Sequence, residues 1–336
     1  MFSRFKNTIV AGLSLLNEYN LIWLWENNFL NPYFKVRSMG IIEGYKAFYV
    51  KNYKKMLYIP IIVSLLAIVI VFLHYQNTGD IINKDVSLKG GITATVYTEK
   101  EINPFELASY LEGSFDDVDV KRLAEFGSNV QIGVIVEVDD LDETKLKNAL
   151  EEKLGVKLDE NNYSVEVVGS SLGESFYRQM LTAILIAFVF MGIVVFFIYK
   201  SLIPSLAVIG AAFSDIIITL AIVDLLGVRV STAGISALLL LIGYSVDSDI
   251  LQATRMLKRD EGSVEERMFS SIKTTLTMSL TTMAALAVGY FISTSVVIKE
   301  MFLIMFIGLI VDLFYTYWTN SGVLLNYYHK RNVKSG

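Results

Sequence analysis

Four carboxylates occur where a carboxylate is expensive. Asp215 lies inside the apolar run Phe213-Ser214-Asp215-Ile216-Ile217, and Asp312 lies near the middle of the last apolar run. Asp247 and Asp249 share the stretch Gly243-Tyr244-Ser245-Val246-Asp247-Ser248-Asp249. An ionisable side chain at bilayer depth costs at least about 2.5–3.5 kcal/mol, so it turns towards a protein interior or a water-filled path. Residues two apart on a helix point to nearly opposite sides, so Asp247 and Asp249 cannot both serve one site. Tyr244, Ser248, Gln252 and Arg255 fall along one stripe at helical spacing, fit for packing on another helix or lining a polar seam. Two roles are open to these groups. Asp215 and the Asp247/Asp249 pair could form a polar relay or ion-responsive hinge. Alternatively, they could hydrogen-bond Ser, Thr and Tyr and hold helices in register. The run 274–293 is rich in Thr and Ser, including Thr277, Ser279 and Thr281, and could supply such partners.

Other chemistries are poorly provided for. With no cysteine there is no disulfide framework, thiolate metal site or thiol nucleophile. The two histidines, His74 and His329, each sit at the end of an apolar run and make no metal or catalytic centre. A net charge of −5 argues against a nucleic-acid binder. No nucleophile–base pair stands out, so no catalytic residue, metal or cofactor is expected, and the chain reads as a non-enzyme.

The elements that must position these carboxylates are membrane spans. Mean hydropathy is +0.49 and 53% of residues are hydrophobic. The charged share, 19%, is concentrated between residues 80 and 178, against roughly 25% in an average globular chain. Crossing a hydrocarbon core of about 30 Å takes about 20 helical residues. Six runs meet that length: 57–76, 180–199, 202–223, 235–257, 274–293 and 301–325. Lys51, Lys54, Lys55, Lys200, Lys258, Arg259, Arg267, Lys273, Lys330, Arg331 and Lys334 all fall on one side of a six-span arrangement, while the short loops of the other side carry only Arg229 and Lys299. The positive-inside rule then puts both termini in the cytoplasm. The predicted layout is a cytoplasmic N-terminal segment (1–54), a first span (55–76), an extracytoplasmic domain (77–178), spans two to six (179–328) and a cytoplasmic tail (329–336). The first apolar run starts too far into the chain for a cleaved signal peptide. Around Ile22, Trp23, Leu24 and Trp25 the sequence suits either an interfacial helix or an extension ahead of a start at Met39.

The inserted domain reads βαββαβ. Residues 86–98 are predicted as a strand, with Ile92, Ala94 and Val96 alternating with Thr93, Thr95 and Tyr97. A short helix follows at 104–112, with Phe105, Leu107, Ala108 and Leu111 available for its inner face, then strands at 119–126 and 130–138. A helix at 141–154 carries Leu146, Leu150 and Leu154, and a last strand covers 163–168. The fold class is thus a polytopic α-helical membrane protein of six transmembrane helices, with an α+β ferredoxin-like domain between the first two. Gly90 and Gly91 mark either a close backbone approach or a simple bend as the chain leaves the membrane.

Three stretches carry a resemblance: Ser87-Leu88-Lys89-Gly90-Gly91, Phe213-Ser214-Asp215, and Ile242-Gly243-Tyr244-Ser245-Val246-Asp247-Ser248-Asp249-Ile250-Leu251 followed by Arg255. Over residues 55–328 the chain resembles the SecD/SecF family of protein-export membrane proteins in its archaeal SecF form, within the resistance-nodulation-division superfamily. The resemblance implies pairing with SecD, action with the Sec translocon late in export of unfolded preproteins, and residence in the cytoplasmic membrane. It marks Gly90, Gly91, Gly243, Tyr244 and Ser245 as family motif positions. It makes Asp215, Asp247, Asp249, Arg255 and Asp312 the candidates for an intramembrane relay or helix contact. Bacterial forms, thought to use the proton gradient, carry an arginine where this chain has Met278, and an Asn-Asp pair where it has Asp247-Ser248. A small-molecule or lipid transporter subunit of the same superfamily is the alternative; such exporters have about twelve spans and two large external domains in one chain.

Overall fold

The computed structural model describes residues 32–125, 130–259 and 262–335 of the 336-residue chain. The reading of Ile22 to Trp25 lies outside the described residues. The chain divides into two compact units at Tyr53/Lys54. The described part of the first belongs to one helix, α1 (Pro32–Met56), which ends on Lys54 and Lys55.

Among the described residues, five helices are long and apolar enough to cross a membrane: α2 (Tyr58–Thr78), α6 (Ser170–Tyr199), α7 (Leu202–Leu225), α8 (Thr232–Lys258) and α9 (Val264–Ile292). A further apolar helix, α10 (Val296–Tyr315), runs through a π-helical turn (Thr316–Asn320) into α11 (Ser321–Ser335). Lys299, Glu300 and Asp312 all fall within the 20 residues of α10, so no 18-residue stretch of it carries fewer than three charges. Side-chain caps fix the starts: Ser231 for α8, Ser295 for α10, and a Ser263–Glu266 capping box for α9. α6 and α9 each begin about ten residues before the apolar run that predicts them, since their first turns are polar and hydropathy cannot see them.

Between α2 and α6 lies a small α+β domain. After the single turn α3 (Val86–Lys89) come β1 (Gly91–Tyr97), α4 (Pro104–Leu111), β2 (Asp119–Ala124), β3 (Gln131–Val138), α5 (Glu143–Leu154) and β4 (Tyr163–Val168). The strands form one antiparallel sheet of order β2-β3-β1-β4, with Ala94 opposite both Val136 and Val165. Alternation sends Ile92, Ala94, Val96, Val134 and Val136 to one face, where they pack with Leu107, Leu111, Leu146 and Leu150. Full burial of such a side chain contributes about 1.5–3 kcal/mol, and this is the core of the domain.

Two local expectations are corrected. Residues 86–89 are helical rather than strand, because Asp85 caps the turn through Ser87 N–H and Gly90, at φ 94°, breaks it. Phe105 is 80% exposed; only Leu107 and Leu111 of α4 reach the core.

Gly90 and Gly91 mark a close approach rather than a simple bend. A Cβ on Gly90 would meet the Ser170 backbone at 2.5 Å, and one on Gly91 would collide with the Val138 carbonyl. The seam between domain and helices is further pinned by Val230 N–H donating to Asn83 O (2.7 Å), Asp85 N–H donating to Val230 O (3.1 Å) and Thr232 N–H donating to Ser87 Oγ (3.0 Å). Arg229 reaches across to Asp117 (2.7 Å) and Asp119 (3.6 Å).

Candidate functional site

The buried polar centre of the bundle is built by α7, α8, α10 and the π-helical turn. α7 is apolar along its length, so burying one of its faces brings Asp215 and Thr219 inside with Ala211, Ala212 and Ile216. α8 buries Ser245, Ser248, Asp249 and Gln252, spaced three or four apart along one face. α10 buries Asp312, and the turn that follows buries Thr316 and Asn320. Asp215, Asp249 and Asp312 are each at most 1% exposed.

Their partners are neutral. Ser245 Oγ donates to Asp215 Oδ2 at 2.6 Å. Ser248 Oγ lies 3.4 Å from Asp312 Oδ1. Thr316 Oγ1 bridges Asp249 Oδ1 (3.1 Å) and Asp312 Oδ1 (3.3 Å), and Asn320 Nδ2 donates to Asp249 Oδ1 at 2.8 Å. Asp215 Oδ1 and Asp249 Oδ2 are buried without a hydrogen-bond partner. Among the described residues no Lys, Arg or His pairs with any of the three carboxyls. Ser321 Oγ donates to Thr316 O five residues back and also meets Gln252 Nε2, so the π-helical turn is tied to α8. Such turns frequently sit at functional sites.

The structure divides the sequence candidates. Asp215, Asp249 and Asp312 come together. Asp247 is exposed, on an outward stripe of α8 with Ser236, Leu240 and Gly243. The Tyr244-to-Arg255 stripe splits. Ser248 and Gln252 face inwards, whereas Tyr244 OH contacts Ser279 Oγ (3.4 Å) and Arg255 donates to Ser270 O (3.0 Å) and Thr274 Oγ1 (2.8 Å) on α9. Gly90 and Gly91 belong to the seam. The expected hydroxyl partners from α9 are not the ones used; Ser245, Ser248, Thr316 and Asn320 take their place. Thr316 and Asn320 carried a signal in the sequence, since they follow Asp312 at intervals of four in an apolar run.

A second charged group lies outside the spans. Burial pushes the Asp85 carboxyl up to about 6, with Glu137 adding to the rise, against the Ser87 hydrogen bonds that oppose it. Burial works against the Lys121 ammonium, but contact with Glu137 (2.6 Å) and Asp119 (3.3 Å) outweighs it and holds Lys121 above its ordinary value. Glu300 Oε1 accepts Ser231 N–H at 2.7 Å, fixing the start of α8 to α10.

Residues 147–330 match the family of the protein-export membrane protein SecD/SecF, C-terminal. The protein-export membrane protein SecF of Pyrococcus furiosus is 39% identical over 84% of this chain and 93% of its own length. The SecF of Methanothermobacter thermautotrophicus is 36% identical over 84% and 95%. Among solved structures, SecDF from Thermus thermophilus, a translocon-associated membrane protein, superposes with a TM-score of 0.65 at 21% identity over 84% of this chain. The chain spans 38% of that SecDF chain, and at this identity the likeness is one of fold. With the family match covering more than half of the residues and archaeal SecF proteins aligned over nearly their full length, the chain belongs to the SecD/SecF family of protein-export membrane proteins.

Proposed function

We propose that the protein is the SecF-type half of a SecD–SecF pair, assisting the late stages of preprotein translocation at the Sec translocon. The carrying observation is the outward face of α8. Asp247 is exposed there near the middle of a 27-residue apolar helix, beside Gly243 and Ser236. A carboxylate bare to lipid is costly, and small residues let helices approach closely, so this face suits a partner helix. A SecD-type subunit is the partner implied by the SecDF neighbours.

In this reading α10, with its π-helical turn and α11, is the sixth span, and residues 77–178 form a ferredoxin-like domain outside the cytoplasmic membrane. The sheet order β2-β3-β1-β4 with two helices on one face supports that fold, and the basic residues at the opposite ends of the helices support cytoplasmic termini. Asp215, Asp249 and Asp312 are then the ion-responsive centre. Three full negative charges packed together would repel strongly, so the cluster takes up protons or another cation, and each gain or loss changes how α7, α8 and α10 pack. The Thr316 bridge couples two of the carboxyls directly.

Affinity purification of the full chain from its own membranes in mild detergent tests the pairing. Recovery of SecD with translocon subunits is expected; recovery of neither would overturn the proposal.

A further inference from the structure

Two clefts meet where α9 ends and α10 begins, beneath the α+β domain. The lower, about 240 Å³, is almost wholly apolar and is lined by Leu286, Tyr290, Phe291, Phe302 and Phe306. Gly289 lets Phe302 of α10 close against α9: a Cβ there would meet the Phe302 ring at 2.6 Å. The upper, about 410 Å³, runs between β2 and the first turn of α10 and is lined by Lys121, Arg122, Arg229 and Lys299 against two acids, Asp119 and Glu300. Tyr290 and Leu303 line both, so the clefts are continuous.

Most charges of the upper cleft are already paired. Lys121 is held by Glu137 and Asp119, Arg229 by Asp117 and Asp119, and Glu300 is engaged by Ser231 N–H. Among the described residues the Lys299 side chain makes no hydrogen bond or ion pair. It projects from the first turn of α10, directly above the aromatic lining. A cationic mouth over an apolar slot, at the level where the spans leave the bilayer, has the shape of an anionic lipid: phosphate above, chain below. A lysine near an anionic membrane surface is attracted to it by about 1 kcal/mol.

We infer that this double cleft is a binding site for one anionic membrane lipid, its phosphate held at Lys299 and an acyl chain lying between α9 and α10. The site lies against β2, the strand Arg229 anchors, so the bound lipid braces the external domain on the helix bundle.

The test uses the full chain with Trp23, Trp25 and Trp318 replaced by Phe, reconstituted in vesicles. A single reporter is introduced by Phe291→Trp in the groove or by Leu73→Trp on the outer turn of α2. Quenching by chain-brominated phosphatidylglycerol is compared with that by chain-brominated phosphatidylcholine at equal mole fraction. We expect the groove reporter to prefer the anionic lipid by about fivefold or more, the worth of one basic contact, and the α2 reporter to show no preference. Lys299→Gln should lower the preference about fivefold, and Lys299→Arg should retain it. Equal quenching by both lipids, or a preference indifferent to Lys299→Gln, would overturn the inference. So would a groove reporter that neither lipid quenches while the α2 reporter is quenched, which would mean that protein covers the groove.

Discussion

Asp249 accepts hydrogen bonds from Thr316 and Asn320, while Asp247, two residues earlier, points out of the bundle. The difference follows from helix geometry, and it assigns the two groups different jobs. Asp249→Asn keeps an acceptor oxygen for both donors, so the fold should persist while export falls, as the proposed ion-responsive role of the cluster requires. Pulse-chase export at normal expression levels measures this, and unchanged export would remove the cluster from the mechanism. Ser245→Ala strips Asp215 of its donor and leaves a buried acceptor unpaired. This should cost about 1–3 kcal/mol, read as a lower unfolding midpoint in detergent. The sequence made Asp215 and Asp312 legible because each is a lone charge in an apolar run. It could show only that Asp247 and Asp249 diverge; choosing the inward one needs the rotation of α8, which packing against α7 and α10 sets. The spacing of Thr316 and Asn320 after Asp312 was visible too, but the π-helical turn that carries them was not, because such a turn leaves no mark in hydropathy.

At the scale of elements, the seam around α3 is where sequence reading went astray and where pH should act. Alternation suits a strand from residue 86 onwards, but the Asp85 cap and the left-handed Gly90 make a turn first. Gly90→Ala would be strained at φ 94° and would strike Ser170, so it should cost at least about 1–3 kcal/mol. Loss of protection from hydrogen exchange across residues 86–91 and 170–173 would register it. Burial raises Asp85 from 3.8 to about 6, so the folded chain binds this proton more tightly than the unfolded one. The stabilisation is therefore fully present below about pH 3.8 and is lost as pH rises through about 6, with a size on the order of 3 kcal/mol. Asp85→Asn keeps the cap and removes the proton, so the protection of residues 86–90 relative to their intrinsic exchange rates should lose its dependence on pH across that window. The strands over 91–97 and 131–138 and the helix carrying Leu146, Leu150 and Leu154 were plain in the sequence, since a half-buried strand and an amphipathic helix each impose a strict period, whereas β2 alternates only weakly.

Over the whole molecule, the composition already implied a bundle of apolar helices with a polar domain inserted after the first. What it could not supply was which helix faces stay uncovered. α8 is the most buried of the long helices by its hydropathic window, yet it keeps Ser236, Leu240, Gly243 and Asp247 on the outside. That uncovered stripe is the basis for assigning the chain half of a two-subunit assembly. The most direct measurement is site-specific photo-crosslinking in native membranes, with the reactive side chain placed at Leu240 on the stripe or at Phe197 on α6, which is 71% exposed. Covalent adducts to a SecD-type subunit from position 240 and not from position 197 are predicted. Adducts to lipid alone from position 240, or equal adducts to SecD from both positions, would contradict the assignment.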